Sequence, residues 1–577
     1  MENALPVAPP RPGGPLYVAG ELQWDRPDLL EGRLRFVLRN GPEVLTAVET
    51  DPVVVVAGGT RFRQLLPVPD GVIQYGLSEV EVTFTADDVE FELGAIPVKL
   101  PQLGEWMSVV LCAEAAPGAG LGDAERLRDE IALEKALSAE ESKGAGDDFG
   151  AKTARVILPA AEFPEQPLAY CAFDTLLLPG EGFTRLSGRQ LEAVSAWVRA
   201  GGAVCVAVDG PLEKKQTEFL DGLFRDTFGG PFVRDDEGRL LEPEGTTQGV
   251  FARRAGLGFA VVLFGPIEEF RFDTPAWREA HARLWRLREE YVSDRKKDRP
   301  ITAAMFRPEP PPASSDPNSA PVYYAQDPLR TDPRFWSVPA PSFGTAVVEA
   351  LRPSAIRLMP GWAVVLILFG YAALVGPIDY LLLGRLRRRK WTWLTFPAVT
   401  VAVTWGVVAA ADAFMSDNDH VRAVDIVDLD ANGEPVRRTR LDLHFRGSSA
   451  PVLHELRRAY FARLDRTHFR SADQYGQWVV VGGAAQFVRQ SSTDNDAPTG
   501  PYAGTLPSRY VVPQRIGKWT PQVNRTFEIA PEVEAPSINW AKYERGQDAS
   551  PFSLPGGRTA YVVRIGPGGA SGPTGPL

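Results

Sequence analysis

Apolar and polar residues alternate with a period of two along residues 15–101. Leu34, Phe36 and Leu38 are separated by Arg35 and Val37, Val80, Val82 and Phe84 by Glu81 and Thr83, and Val89, Phe91 and Leu93 by Glu90 and Glu92. Successive strand side chains point to opposite faces, so this pattern predicts strands with one face covered and one face wet. Several such runs without an intervening helix predict an immunoglobulin-like β-sandwich over 15–101. Residues 1–14, rich in proline, are expected to be disordered. They lack a basic segment followed by an apolar run, so no export signal is visible, and a true start upstream is expected.

The period changes after residue 105. WMSVVLCAE, KTARVILPA, FDTLLLPG, AVCVAV and LGFAVVLFG read as strands, and the most apolar of them as strands buried on both faces. Amphipathic stretches separate them. Asp123 is placed to cap a helix through AERLRDEIALEKALSAEE. Ser187 precedes GRQLEAVSAWVRA, with Leu191, Val194 and Val198 on one stripe and Gly201-Gly202 as the stop. Thr274 and Pro275 open a helix whose stripe is Trp277, Ala280, Leu284, Leu287 and Tyr291. Alternating strands and helices predict an α/β domain with a parallel sheet over 105–295. The proline-rich residues 296–345 are expected to be a linker.

Two longer apolar runs follow, at 361–383 and 391–414, around a basic loop at 384–390. A helix crosses the hydrocarbon with ~20 apolar residues, so these runs predict two transmembrane helices. Trp362, Trp391 and Trp393 stand at their ends, where indole rings favour the headgroup layer. Pro377 and Pro397 are tolerated in membrane helices. Asp379 lies a turn or two from Arg385 and is expected to pair at the interface. Arg385, Arg387, Arg388 and Arg389 are expected to hold the loop in the cytoplasm. The expected localisation is a bacterial cytoplasmic membrane, with extracytoplasmic soluble domains and with lipid and envelope proteins as partners. Residues 418–565 read as a C-terminal β domain opening with a hairpin around Asn432-Gly433. Residues 566–577 are too rich in glycine and proline to fold alone. The expected class is therefore multidomain α/β plus all-β, with a transmembrane helical hairpin.

The 577 residues carry a net charge of −11, which disfavours a nucleic-acid partner. Three cysteines, Cys112, Cys171 and Cys205, make no disulfide framework, and no Cys/His spacing suits a metal. Gly58-Gly59-Thr60 lacks the lysine of a phosphate loop, and neither EFPEQP nor DLDANGE has the spaced carboxylates of a calcium loop. No cofactor is expected.

FDTLLLPGEG, residues 173–182, resembles the strand and Pro-Gly loop of the class I glutamine amidotransferase-like superfamily, whose fold is flavodoxin-like. GGAVCVAVDG resembles the family's next strand. The resemblance implies a sharp turn carrying a nucleophilic cysteine, with a histidine nearby. In this chain Val208 takes that place, Cys205 lies three residues earlier, and no histidine falls within 105–270. His281 is expected on a helix surface. No catalytic residue is therefore assigned. LVGPIDYLLLGRLRRRKWTWLTFP resembles a segment of bacterial membrane proteins that carry an extracytoplasmic domain of this kind. Asp174 and Asp209, near strand ends, are candidates to hold a ligand or to cap backbone groups. The expected function is a non-catalytic envelope interaction or assembly protein. The alternatives are an accessory subunit of a transport system and an envelope hydrolase with an unfamiliar site.

Overall fold

The alternating residues near the N-terminus lie in seven strands: β1 (Leu16–Leu22), β2 (Leu30–Asn40), β3 (Glu43–Glu49), β4 (Val53–Val55), β5 (Thr60–Leu66), β6 (Ser78–Ala86) and β7 (Val89–Pro97). The structure is a computed structural model. It describes residues 14–68, 78–100, 106–118, 122–137, 151–301, 361–378, 392–415, 418–464, 477–488, 501–532 and 552–560, apart from short breaks within them, together with Leu351, Leu381 and Arg385. In β2, Leu34, Phe36 and Leu38 are buried and face Phe84, Val82 and Val80 of β6. Arg33 and Arg35 between them are exposed. The alternation of β7 behaves differently. Val89 and Phe91 are exposed, so this face of β7, the outer strand of its sheet, is left uncovered by the described residues.

Six further strands make one sheet. They are β8 (Trp106–Glu114), β9 (Ala151–Pro159), β10 (Thr175–Leu178), β11 (Ala203–Val208), β12 (Val250–Ala255) and β13 (Gly258–Phe264), in the order β12-β13-β11-β10-β8-β9. All neighbours are parallel except the β12–β13 pair. Every residue of β10 and β11 is buried. The helices are α1 (Glu125–Glu130), α2 (Leu133–Leu137), α3 (Gly180–Arg185), α4 (Gly188–Arg199), α5 (Lys214–Phe224), α6 (Pro275–Leu284) and α7 (Glu289–Lys296). Ser187 starts α4 with a capping box, its hydroxyl accepting from Gln190 N while the Gln190 carbonyl accepts from Ser187 N. Gly201, at φ +117°, ends the turn after that helix.

Two expected helices are broken. Ile131 and Ala132 separate α1 from α2, and Arg286, at φ +56°, separates α6 from α7. The apolar stripe continues across the second break, since Trp277, Ala280, Leu284, Leu287 and Tyr291 are all buried. Periodicity alone therefore could not locate it.

The expected transmembrane hairpin does not hold. Among the described residues, no helix is long and apolar enough to cross a membrane. The first run is helical only as α8 (Gly361–Ala373), 13 residues, and then changes to a π turn at Leu374–Ile378 that contains Pro377. At ~1.5 Å per residue that α-helix spans about 20 Å, against about 30 Å of hydrocarbon. The second is α9 (Thr392–Met415), whose apolar sequence is interrupted by Thr395, Thr400 and Thr404 and which contains Pro397. Tyr371 and Thr400 hydroxyls meet at 3.1 Å between the two helices. Trp362, Trp393, Pro377, Pro397 and Arg385 are exposed. Asp379, Arg387, Arg388, Arg389 and Trp391 lie outside the described residues, as do 1–13, the body of the expected linker and the C-terminal tail. The membrane-anchored class is corrected accordingly: among the described residues strands outnumber helices, and they form several sheets.

The C-terminal strands do not form a separate unit. They are β14 (His420–Leu429), β15 (Pro435–Phe445), β16 (Pro451–Arg457), β17 (Tyr460–Leu464), β18 (Tyr502–Thr505), β19 (Arg509–Arg515) and β20 (Gln522–Ile529), with two short hairpins at 477–488 and 552–560. Strands β14-β15-β20-β17 make one sheet. Strands β16-β19-β18 instead continue the N-terminal sheet β3-β2-β6-β7, through a parallel pairing of Tyr502 with Val48 and Ala503 with Glu49. One apolar core runs through N-terminal, central and C-terminal residues, including Phe36, Phe173, Trp197 and Tyr510.

Candidate functional site

The central sheet changes winding direction at β8, which has β9 on one side and β10 on the other. Open α/β sheets bind ligands outside the carboxyl ends of the strands flanking such a point. Here that edge is occupied by the chain itself. Gly182 of α3 lies against the Ala113 carbonyl near the end of β8, leaving no space for a side chain. Gly180, at the start of α3, lies against the Asp209 carboxylate. Asp209 follows β11 and is exposed. Its carboxylate therefore lies beside the start of α3, where the first helical N–H groups favour an anion.

Asp174 stands at the opposite, amino end of β10. It is buried, and its Oδ2 accepts from Val109 N at 2.9 Å while its own N–H donates to Val109 O at 2.9 Å. It fastens β10 to β8 and is not at a ligand edge. The two aspartates are therefore not brought together.

The cysteine nearest the turn singled out by the resemblance is likewise enclosed. Cys205 is buried within β11, opposite Leu177 and Val261. Leu177 in turn faces Cys112 of β8. Burial pushes the Cys112 thiol up to about 12 and raises Cys205 as well. Both hold their protons at neutral pH, and a protonated thiol is a poor nucleophile. Val208 occupies the last position of the strand, where the resemblance implies a cysteine turn.

His281 is buried rather than on a helix surface. Its ring stacks on Trp277 at 5.2 Å, and its Nε2 lies 3.0 Å from Ile131 O. Trp285 Nε1 donates to the same carbonyl at 2.7 Å. The end of α1 frees that oxygen, and α6 and the Trp285 that follows it each bring one ring nitrogen to it. Burial is the main cause that lowers the His281 pKa to about 4. A neutral imidazole tied to a helix end is a structural link. Among the described residues, no group of His, Cys, Asp and Glu is arranged to hold a metal ion.

Two features escaped the sequence. One is a buried polar network between the β14-β15-β20-β17 sheet and strands β16 and β19. His444 Nε2 lies 2.5 Å from Asp442 Oδ2, His454 Nε2 lies 2.9 Å from Gln514 Oε1, and the Gln514 and Asn524 amides meet twice at 3.0 Å. The rings of His444 and His454 meet edge to face at 5.1 Å. Burial lowers the His454 pKa. The signal is LDLHF, whose alternation looks like a half-wet strand although both faces are covered. The other is a cleft of about 230 Å³ where three parts of the chain meet, at β1 and β5, residues 164–169, and the turn after β18. It lies away from the carboxyl edge of the sheet.

No family model matches the chain, and no curated protein matches it. Among solved structures, β-glucuronidase 2 of Bacteroides uniformis aligns with a TM-score of 0.17 and 14% identity, over 35% of this chain and 33% of that chain. A second B. uniformis β-glucuronidase aligns at 0.16 and 13%, over 38% and 24%. A cycloisomaltooligosaccharide glucanotransferase of Paenibacillus sp. aligns at 0.15 and 10%, over 38% and 47%. The matched part is less than half the length of each of these enzymes. Likeness at this level carries no argument about fold or activity.

Proposed function

We propose that this chain is a non-catalytic binding or assembly protein, in which an α/β unit similar to class I glutamine amidotransferases serves as a scaffold for the β regions around it. The observation that carries this reading is the burial of Cys205 inside β11, with Val208 at the turn and His281 committed to Ile131. An acyl-transfer nucleophile needs an exposed turn and a base within hydrogen-bond reach. The scaffold role is supported by the joints to the C-terminal strands. Arg199, at the end of α4, pairs with Asp430, whose side chain is 0% exposed. Arg437 Nη1 donates to Ala200 O at 3.1 Å, and Gln166 Nε2 donates to Ser508 Oγ at 2.7 Å. These contacts bind the α/β unit to its neighbours at two separate places.

Thiol accessibility tests the reading. Native full-length protein treated with iodoacetamide is expected to leave Cys112 and Cys205 unmodified until it is unfolded, as read by peptide mass spectrometry. Rapid labelling of Cys205 in the native state, or a glutamine-hydrolysing activity abolished by Cys205→Ala, would overturn it.

A further inference from the structure

The antiparallel register of the β1–β5 ribbon decides which side chains share a face. Tyr17 opposes Leu65, and Ala19 opposes Arg63. Opposed residues, and residues two apart, point the same way. Tyr17, Leu65 and Arg63 therefore project from one face of the ribbon. That face looks toward the central unit, where the Tyr17 ring meets Phe173 at 5.8 Å. All three residues line the cleft, with Pro164 and Ala169 on the central side and Leu506 on the C-terminal side.

The Tyr17 hydroxyl is anomalous. The residue is 2% exposed, and its Oη has no hydrogen-bond partner among the described residues. A buried hydroxyl without a partner is costly, by about 1–3 kcal/mol, and such groups are rare. Burial raises its pKa to about 12, with the nearby Arg63 charge acting the other way, so it stays a protonated donor across the physiological range. Arg63 reaches only a long contact, Nη2 to Ala161 O at 3.4 Å. Gln64 of the lining donates to Leu65 O at 3.2 Å but leaves its own Oε1 without a partner among the described residues, whereas three others are paired. Gln166 is tied to Ser508, Thr505 to Asp51 at 3.1 Å, and Glu165 lies 3.9 Å from Arg189.

We infer that this cleft is a binding site for a small organic acid, its carboxylate held by the Tyr17 hydroxyl and the Arg63 guanidinium and its apolar body lying on Leu65, Pro164, Ala169 and Leu506. A hydroxyl and a guanidinium on one face form a charge-assisted clamp for a carboxylate. The remaining wall offers mostly carbon. An apolar cavity of roughly 150 Å³ accepts benzene, so about 230 Å³ suits an acid of roughly ten heavy atoms or fewer. Drug-sized ligands need ~300 Å³ or more. The inference deepens the binding-protein reading by naming a ligand class. It does not depend on the state of Cys205, so labelling of that thiol would leave it standing.

Titration calorimetry of the full chain with benzoate and butyrate, against the neutral analogues benzamide and butanol, tests it. Saturable binding of the acids is expected, with the neutral analogues weaker by about tenfold or more. Tyr17→Phe keeps the ring packing on Phe173 and is expected to weaken benzoate about tenfold. Arg63→Gln is expected to weaken it similarly and to remove its salt dependence. Equal affinity for acid and neutral analogue, unchanged binding in Tyr17→Phe, or no saturable binding of either acid would overturn the site. The comparison of analogues uses unaltered protein and stands even if a variant fails to fold.

Discussion

The central α/β unit and the C-terminal β region bury polar side chains in opposite ways. In the central unit three buried polar side chains, Asp174, Gln190 and His281, are tied to backbone. Asp174 bonds Val109, Gln190 donates to Ala160 O and Phe163 O, and His281 sits on Ile131 O. In the C-terminal region Asp442, His444, His454, Gln514 and Asn524 are tied chiefly to one another. A side chain satisfied by backbone completes a helix end or a strand start, and its loss is local. Side chains that satisfy one another fail together, because removing one leaves donors buried without acceptors.

Three changes probe that contrast. The largest effect is expected from Asp442→Ala, which strips the acceptor of His444 and leaves Asn524 short of a partner. A loss of about 3–4 kcal/mol is expected in urea unfolding of the C-terminal region. A loss below about 1 kcal/mol would show that the network is not cooperative. Next comes acid. The folded pKa of His281, about 4, lies below its ordinary value of 6.5. The unfolded chain therefore takes up the proton first. Its contribution is intact above pH 6.5, is lost as pH falls from 6.5 to about 4, and is level below that. The total is on the order of 3 kcal/mol. His454 shifts in the same direction. Urea midpoints measured from pH 7 to 4 should fall in the native protein and fall less in His281→Gln, which keeps an amide donor for Ile131 O. Parallel slopes would remove His281 from the account. The smallest effect is expected from Asp209→Asn, an exposed side chain that loses only its charge at the start of α3. A change within about 0.5 kcal/mol is expected in the same assay.

Local chemistry was legible where one segment decides the outcome. The Ser187 box, the buried stripe from Trp277 to Tyr291 and the apolar strands β10 and β11 could be read from their own residues. What depends on distant segments could not. The breaks at Ile131 and Arg286 leave no mark in either run, and the Ile131 carbonyl freed at the first is met by His281 and Trp285 from far along the chain. Asp174 and Asp209 look alike beside apolar strands, yet one closes the amino end of β10 and the other follows the carboxyl end of β11. The apolar composition of 361–383 promised a continuous span, but the turn containing Pro377 decides how much of it is α-helix. Tyr17 and Arg63 carried no signal, since their cleft is completed by residues far along the chain. Leu34 and Asp442 both sit in alternating runs, and only the second sheet, packed on the polar face of β15, distinguishes them.

The parallel pairing of β3 with β18 has a consequence for biogenesis. During synthesis β3 emerges early, and its partner Tyr502–Thr505 appears only when most of the chain has left the ribosome. Until then one side of the growing sheet displays unsatisfied amides and carbonyls, the template on which foreign strands add. The molecule's vulnerable period is thus set by translation time. Slowing elongation between these two strands would lengthen it, and a chaperone that shields open β edges would be the natural safeguard.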